Sequence, residues 1–138
     1  MHSPDFATSR RRDWKEIYGY YQSAAERFGA PGMERLREAM ELLKKFAYLA
    51  GRREHMRSLV TVGTVGCISV FRNERCIAED GYILIGWSQE GEILLGFYSD
   101  VNFDPAGFSR FTNATSAIDY FERCLKEHQF VAESAGCA

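Results

Sequence analysis

The chain has 138 residues, of which 46% are apolar and 26% charged, a balance that is typical of one globular domain with its own core. The formal net charge of −2 argues against a dedicated nucleic-acid binder, and no apolar run is long enough to predict a membrane-spanning helix. No secretory leader is evident, so we expect a cytoplasmic protein whose cysteines are reduced, namely Cys67, Cys76, Cys124 and Cys137.

The first predicted element is a helix from about Arg10 to Phe28, with Thr8 or Ser9 as its N-cap and residues 1–9 as a disordered tail. Gly29 is the expected stop signal. Apolar side chains recur at helical spacing along this segment: Trp14, Ile17, Tyr18, Tyr21, Ala25 and Phe28.

A second helix is predicted to begin with Pro31 in its first position and to end at Gly51 or as late as Arg57. Its apolar stripe is broad, which indicates burial on more than one side. Because the connection between the two helices is short, we expect them to pack as an antiparallel hairpin. The stripe consists of Met33, Leu36, Met40, Leu43, Ala47 and Ala50, widened by Leu42, Phe46 and Leu49.

From Leu59 the apolar period changes from helical to alternating, which predicts an antiparallel sheet of about four strands. They are residues 59–71, a short piece at 75–78, and a hairpin of Tyr82–Ser88 with Glu92–Tyr98. A three-residue loop ending in a left-handed Gly91 is favoured over a two-residue turn. The favoured loop pairs Trp87 with Ile93, Ile85 with Leu95, Ile83 with Phe97, Gly86 with Leu94, Leu84 with Gly96 and Tyr82 with Tyr98.

A final helix is predicted from about Asn113 to His128, capped by Thr112 or Asn113, with residues 131–138 as a frayed tail. The expected fold is therefore a single α+β domain over residues 1–138 with the order α-α-β-β-β-β-α. Since both faces of the predicted hairpin are apolar, both need a cover. We expect the final helix on one face and the N-terminal helical hairpin on the other, while a homodimer contact or a ligand cleft stays an alternative.

No catalytic constellation stands out in the sequence. Cys124 and His128 lie one helical turn apart and offer half of a zinc site, but no second pair stands at a recognisable spacing. Carboxylates cluster only at predicted turns, where they are normally solvated. We therefore predict no catalytic residue, no metal ligand and no cofactor. The turn acids are Glu79, Asp80, Glu90 and Glu92.

The strongest positive feature is charge asymmetry. Residues 1–58 contain 12 Lys and Arg against 8 Asp and Glu, whereas residues 59–138 contain 5 against 11. The loop before the last helix adds phenylalanines and an arginine near a helix N-terminus, where anions bind. The predicted partner-binding residues are Arg10, Arg11, Arg12, Arg52, Arg53, Phe103, Phe108 and Arg110.

These features favour a non-enzymatic protein that binds a macromolecular partner, most simply a protein, as an inhibitor, an immunity factor or a regulatory adaptor does. Three alternatives remain open, one of them a hydrolase or transferase whose catalytic residues are scattered along the chain. Another is a small-molecule or nucleotide-binding protein that uses a cleft between sheet and helices beside Arg110. The third is a nucleic-acid-associated protein that uses the basic helical half.

Overall fold

A computed structural model describes residues 10–11, 13–63, 67–72, 81–98 and 108–130, and it confirms the α+β class. Within these residues, no helix is at once long and apolar enough to cross a bilayer. The helices are α1 (Trp14–Arg27), α2 (Glu34–Gly51), α3 (Glu54–Arg57) and α4 (Ala114–Glu127). The strands are β1 (Arg10–Arg11), β2 (Val60–Gly63), β3 (Ile68–Phe71), β4 (Tyr82–Trp87), β5 (Ile93–Tyr98) and β6 (Ser109–Phe111).

The N-terminal helices begin later than the sequence predicted. The side chain of Asp13 accepts a hydrogen bond from the backbone N–H of Glu16 at 2.8 Å, so α1 starts at Trp14 rather than near Arg10. Ahead of this cap, Arg10–Arg11 forms a strand instead of helix. The second helix begins at Glu34, because Gly32 takes a left-handed conformation (φ 88°) that leaves Pro31 in the preceding turn.

Of the two predicted ends of the second helix, Gly51 is the one that the structure shows. The chain then makes the single-turn helix α3. The indole Nε1 of Trp14 donates a hydrogen bond to the backbone oxygen of Met56 at 2.9 Å, and Met56 itself is buried. The first residue of α1 thus fixes the chain that leads from the helical hairpin into the sheet.

The strands form one antiparallel sheet with the order β1-β2-β3-β4-β5-β6, so it has six strands rather than about four. Strand β1 lies where a helix was predicted, and β6 lies where a loop was predicted. The single strand predicted over residues 59–71 is instead the antiparallel pair of β2 and β3. The predicted register of the β4–β5 hairpin is confirmed at all six pairs, from Tyr82 with Tyr98 to Trp87 with Ile93. Gly91 has φ 83°, as the favoured loop requires. The predicted piece at 75–78 and both predicted tails lie outside the described residues.

The helices α1, α2 and α4 all pack on one face of the sheet, which we call the helix-covered face. Three aromatic rings meet at the centre of this layer. The Trp14 ring centroid is 6.1 Å from those of both Phe46 and Phe121, and the latter two are 5.3 Å apart. The expectation that the helical hairpin and the final helix lie on opposite faces is therefore wrong. The wide apolar stripe of α2 packs against both α1 and α4, which brings the helices to one side.

The other side, the opposite face, is also buried, although no described helix lies on it. Phe108 is 9% exposed, and its ring makes an edge contact with Tyr98 at 5.6 Å between centroids. The sequence pattern thus predicted the burial of both faces correctly. The strand residues of the opposite face are Val60, Val62, Phe71, Tyr82, Leu84, Leu94 and Tyr98, joined by Cys67 and Phe108.

Candidate functional site

The predicted partner-binding residues do not form one surface. Arg10 and Arg11 lie on β1, and Arg110 lies on β6. These two strands are the opposite edges of the sheet. Their register places Arg10 beside Gly63 and Arg110 beside Leu94. Arg12 and Phe103 lie outside the described residues.

Arg110 and Phe108 are both engaged within the fold. Nη1 of Arg110 lies 3.0 Å from Oε1 of Glu92, and the same carboxylate oxygen accepts a hydrogen bond from the Ser88 hydroxyl at 3.1 Å. Phe108 is buried in the opposite face, as described above. At the start of α4, the side chain of Asn113 already accepts from the backbone N–H of Ser116 at 3.0 Å. The helix terminus near Arg110 is thus an ordinary capped end.

Arg53 joins the end of α2 to α4. Its Nη1 lies 2.8 Å from Oε1 of Glu122, and its Nη2 lies 3.7 Å from Asp119. His55 Nε2 is 3.1 Å from the same Glu122 oxygen. Partial burial alone would raise the pKa of Glu122, but the hydrogen bond and charge of Arg53, helped by His55 and Lys126, lower it. Arg53 therefore has a structural role between helices.

Arg52 has quite different surroundings. Its Nη1 donates a hydrogen bond to the Tyr48 hydroxyl at 3.0 Å, and its guanidinium lies 5.5 Å from the centre of the Tyr48 ring. Tyr48 is 50% exposed, and its ring is 6.3 Å from that of Tyr18 on α1. Among the described large apolar and aromatic side chains, only Met33 and Tyr48 are exposed. The outer side of α2 thus presents an ordered aromatic residue to solvent.

An open groove of about 770 Å³ follows this side of α2. It extends from Tyr18 on α1 to the β4–β5 turn, where Nη1 of Arg35 donates to the backbone oxygen of Glu90 at 3.2 Å. A Cβ at Gly91 would come within 3.2 Å of the Arg35 carbonyl oxygen, so glycine permits this close approach. The groove is lined by Tyr18, Arg35, Arg37, Glu38, Glu41, Leu42, Lys44, Lys45, Tyr48, Glu90, Gly91 and Thr112. We call this groove and the adjoining Arg52 the outer α2 surface.

The cations of the outer α2 surface differ in how they are paired. Lys44 forms an ion pair with Glu41 at 2.9 Å, and the hydrogen bond from that pair raises the pKa of Lys44. Arg37 and Lys45 are exposed, and neither makes an ion pair in the part of the chain that the structure describes. The surface, which includes Arg52, therefore carries two more cations than acids.

Cys124 and His128, which lie one helical turn apart, are each engaged within the fold. Cys124 is buried, and burial raises the pKa of its thiol. The His128 ring stacks flat on Phe97, with 3.7 Å between centroids and 6° between planes. Within the described residues there is no group of three or more His, Cys, Asp or Glu side chains that could hold a metal ion. Among the described residues, neither Cys67 nor Cys124 forms a disulfide, whereas Cys76 and Cys137 lie outside those residues.

The sequence prediction included Arg52 among the partner-binding residues but not Tyr48, the exposed aromatic residue beside it. One signal was present, because Tyr48 falls between the apolar positions of the α2 stripe and on the side of Lys44, Lys45 and Arg52. Comparison with protein-family models, curated proteins and solved structures found no match to this chain.

Proposed function

We propose that the chain works by binding a protein partner through the outer α2 surface and that it does not act as an enzyme. The observation that carries this proposal is the half-exposed Tyr48, held between Tyr18 and Arg52 beside an open groove. Tyrosine and arginine are the side chains that most often dominate the binding energy of protein interfaces. An aromatic residue that the fold orders but does not bury is suited to that use.

The surface is also organised before binding. The Arg52 hydrogen bond and the Tyr18 ring restrict the Tyr48 side chain, so less conformational entropy is lost when a partner orders it. The backbone beneath is rigid, because the inner side of α2 is buried in the core through Leu43 and Phe46. Rigid placement on a helix suits an inhibitor, an immunity factor or an adaptor that recognises one partner. We place this role in the cytoplasm, where a reduced thiol such as that of Cys124 persists.

A small molecule or nucleotide fits this surface less well than a protein does. Sites for small ligands usually enclose most of the ligand, whereas this groove is open along α2. A nucleic acid is also disfavoured, since Glu38 and Glu41 stand among the cations of the groove. A protein interface tolerates both charge signs at its rim.

Site-directed photo-crosslinking tests the proposal in the cell that produces the protein. A benzophenone amino acid replaces Tyr48 in one variant and Thr115, an exposed position on α4, in the control variant. We expect a protein adduct at position 48 that is missing at position 115. An adduct between two copies of this chain would identify the partner as a second copy. The absence of a position-specific protein adduct, or an adduct with nucleic acid alone, would contradict the proposal.

The purified pair then gives a quantitative test by calorimetry. Tyr48→Ala should weaken binding by about ten-fold or more, because a central aromatic contact typically contributes over 1 kcal/mol. Its melting temperature should stay close to the parent value, since Tyr48 is half exposed in the free chain. Gln22→Ala, at an exposed position of α1, is the matched control and should bind like the parent.

A further inference from the structure

We propose that the partner presents an acidic segment to the outer α2 surface, with Asp or Glu side chains opposite Arg37, Lys45 and Arg52. This inference rests on the proposed function and names the chemistry of its partner. It follows from which charges on this surface are already paired, how the remaining cations are spaced, and which side chains separate them.

Positive charge exceeds negative charge on the outer α2 surface, with five cations against three acids. Among the described residues, Arg37, Lys45 and Arg52 are exposed and form no ion pair. Backbone hydrogen bonds and, more weakly, the charge of Arg37 lower the pKa of Glu34. The only contacts seen for the Arg52 guanidinium are with Tyr48. Two nearby acids already have partners within the chain. Glu41 forms an ion pair with Lys44, and Glu34 accepts a hydrogen bond from the backbone N–H of Gly32 at 3.2 Å. A carboxylate brought by a partner would form charge-assisted hydrogen bonds that the free chain lacks.

The spacing of these cations fits one continuous segment. Arg37, Lys45 and Arg52 lie within about 80° of one another around the helix axis, at 100° per residue. Fifteen residues separate the first from the last along this helix and its C-cap, which corresponds to about 22 Å. Roughly seven extended residues, or four turns of a docked helix, cover that length. Such a segment can place one acid opposite each cation.

Apolar and acidic side chains between the cations restrict what else the segment carries. Tyr48 and the half-buried Leu42 offer apolar contact, so an aliphatic or aromatic residue of the partner should lie between its acids. Glu38 and Glu41 would repel a chain that carries a charge at every unit, as a phosphate backbone does. A peptide can leave its positions opposite these two residues neutral. The surface therefore selects an acidic protein segment over a nucleic acid.

A matched arginine and tyrosine pair on α4 supplies the control. The Arg123 guanidinium lies 5.5 Å from the centre of the Tyr120 ring, the same distance as between Arg52 and Tyr48. Tyr120, however, is half buried and packs against Phe111 with 5.3 Å between ring centroids. Reversing charge at Arg123 changes the net charge of the chain as reversal at Lys45 does, but it leaves the outer α2 surface intact.

The test titrates the full chain with probes of defined chemistry. They are a synthetic peptide of about 15 residues with three spaced glutamate pairs and a central leucine, the same peptide with Gln for every Glu, and a single-stranded DNA of similar charge. We expect the acidic peptide to bind about ten-fold or more tightly than its Gln counterpart, with an affinity that falls as salt is raised. Arg37→Glu combined with Lys45→Glu should weaken that binding about ten-fold, and Arg123→Glu should leave it unchanged.

A second double variant, Arg37→Gln with Lys45→Gln, removes the same two positive charges without introducing acids. Melting curves of all variants show whether the fold is kept. Equal binding of the two peptides, tighter binding of the DNA, or an unaffected double variant would overturn the acidic segment. If a position-48 adduct forms and the probes show no acidic preference, protein binding stands and only its partner chemistry is wrong. If the acidic peptide binds but Tyr48→Ala does not weaken it and no position-48 adduct forms, the proposed function fails instead.

Discussion

The two faces of the sheet are buried to a similar extent but in different ways. On the helix-covered face, Ile83, Ile85 and Leu95 are completely buried beneath α1, α2 and α4. On the opposite face, Leu84 and Leu94 are buried without any described helix above them. Side chains on the first face therefore contact several elements that meet only in the folded state. This difference should appear in the free energy of unfolding when matched residues on the two faces are truncated.

The largest expected effects come from the adjacent leucines Leu94 and Leu95, which point to opposite faces. Leu95→Ala should lower the free energy of unfolding by about 3–5 kcal/mol, because its 0% exposed side chain lies under the helices. Leu94→Ala should cost less, about 2–3 kcal/mol, since Leu94 faces Gly86 across the hairpin and is 9% exposed. Urea denaturation measures both losses.

The volume-conserving variant Leu95→Met is the control for the truncation and should cost less than about 1.5 kcal/mol. A loss for Leu94→Ala as large as that for Leu95→Ala would contradict the distinction between the faces. It would mean that the opposite face is packed as tightly as the helix-covered one.

The cap of α4 tests how firmly one helix is held on the helix-covered face. Asn113→Ala removes the acceptor for the backbone N–H of Ser116 and should lower stability by about 1 kcal/mol. Asn113→Asp keeps a hydrogen-bond acceptor and should retain most of the stability that the cap contributes. Thermal melts compare the two variants. A loss for Asn113→Asp equal to that for Asn113→Ala would show that the capping bond is not the cause.

Buried hydroxyls give a smaller effect of opposite sign. Within the described part of the chain, Tyr21 in the helical layer and Ser69 on β3 have buried side-chain oxygens without hydrogen-bond partners. Burial, with smaller contributions from Cys67 and Tyr20, raises the pKa of Tyr21, so its hydroxyl stays neutral. Tyr21→Phe and Ser69→Ala should be neutral or stabilising by up to about 1 kcal/mol in urea denaturation. A clear loss of stability in either would reveal a hydrogen bond that its hydroxyl makes.

The ion pairs between the end of α2 and α4 give the smallest effect and a defined pH dependence. The folded chain lowers the pKa of Glu122 below its ordinary value of 4.5. The stabilisation is therefore present above that value and is lost as the pH falls through the lower, folded value. Glu122→Gln should lower the free energy of unfolding by less than about 1 kcal/mol at neutral pH. The variant should also lose less stability than the parent as the pH falls. Urea denaturation at a series of acid pH values measures both effects.

The features that the sequence predicted correctly are those that local chemistry decides. The hairpin register follows from Gly91, which closes the turn, and from leucines that face Gly86 and Gly96 across the strands. The cap of α4 was likewise predicted to within one residue, as Thr112 or Asn113, and the side chain of Asn113 bonds a backbone group three residues away. In each case the determining groups lie close together in the sequence.

The features that were missed depend on groups far apart in the sequence. Arg52 and Arg53 look equivalent in the chain, yet Arg53 bonds Glu122, 69 residues away, while Arg52 bonds Tyr48 on its own helix. Alternating apolar residues predict that a face is buried but carry no information on which element buries it. The start of α1 was misplaced for a similar reason, because Arg10–Arg11 pairs with β2 far along the chain.

The strand order has a consequence for how fast the molecule folds. Every neighbouring pair from β2 to β6 consists of strands that follow each other in the sequence, so these pairs form with low contact order. The β1–β2 pair is the exception, since it joins Arg10 to Gly63 and encloses α1 and α2 within the loop that it closes. We expect the β2–β6 meander to form early in folding and β1 to add last. The amide of Gly63, which faces Arg10 in that pair, should gain protection from hydrogen exchange later than the amides of the β4–β5 hairpin.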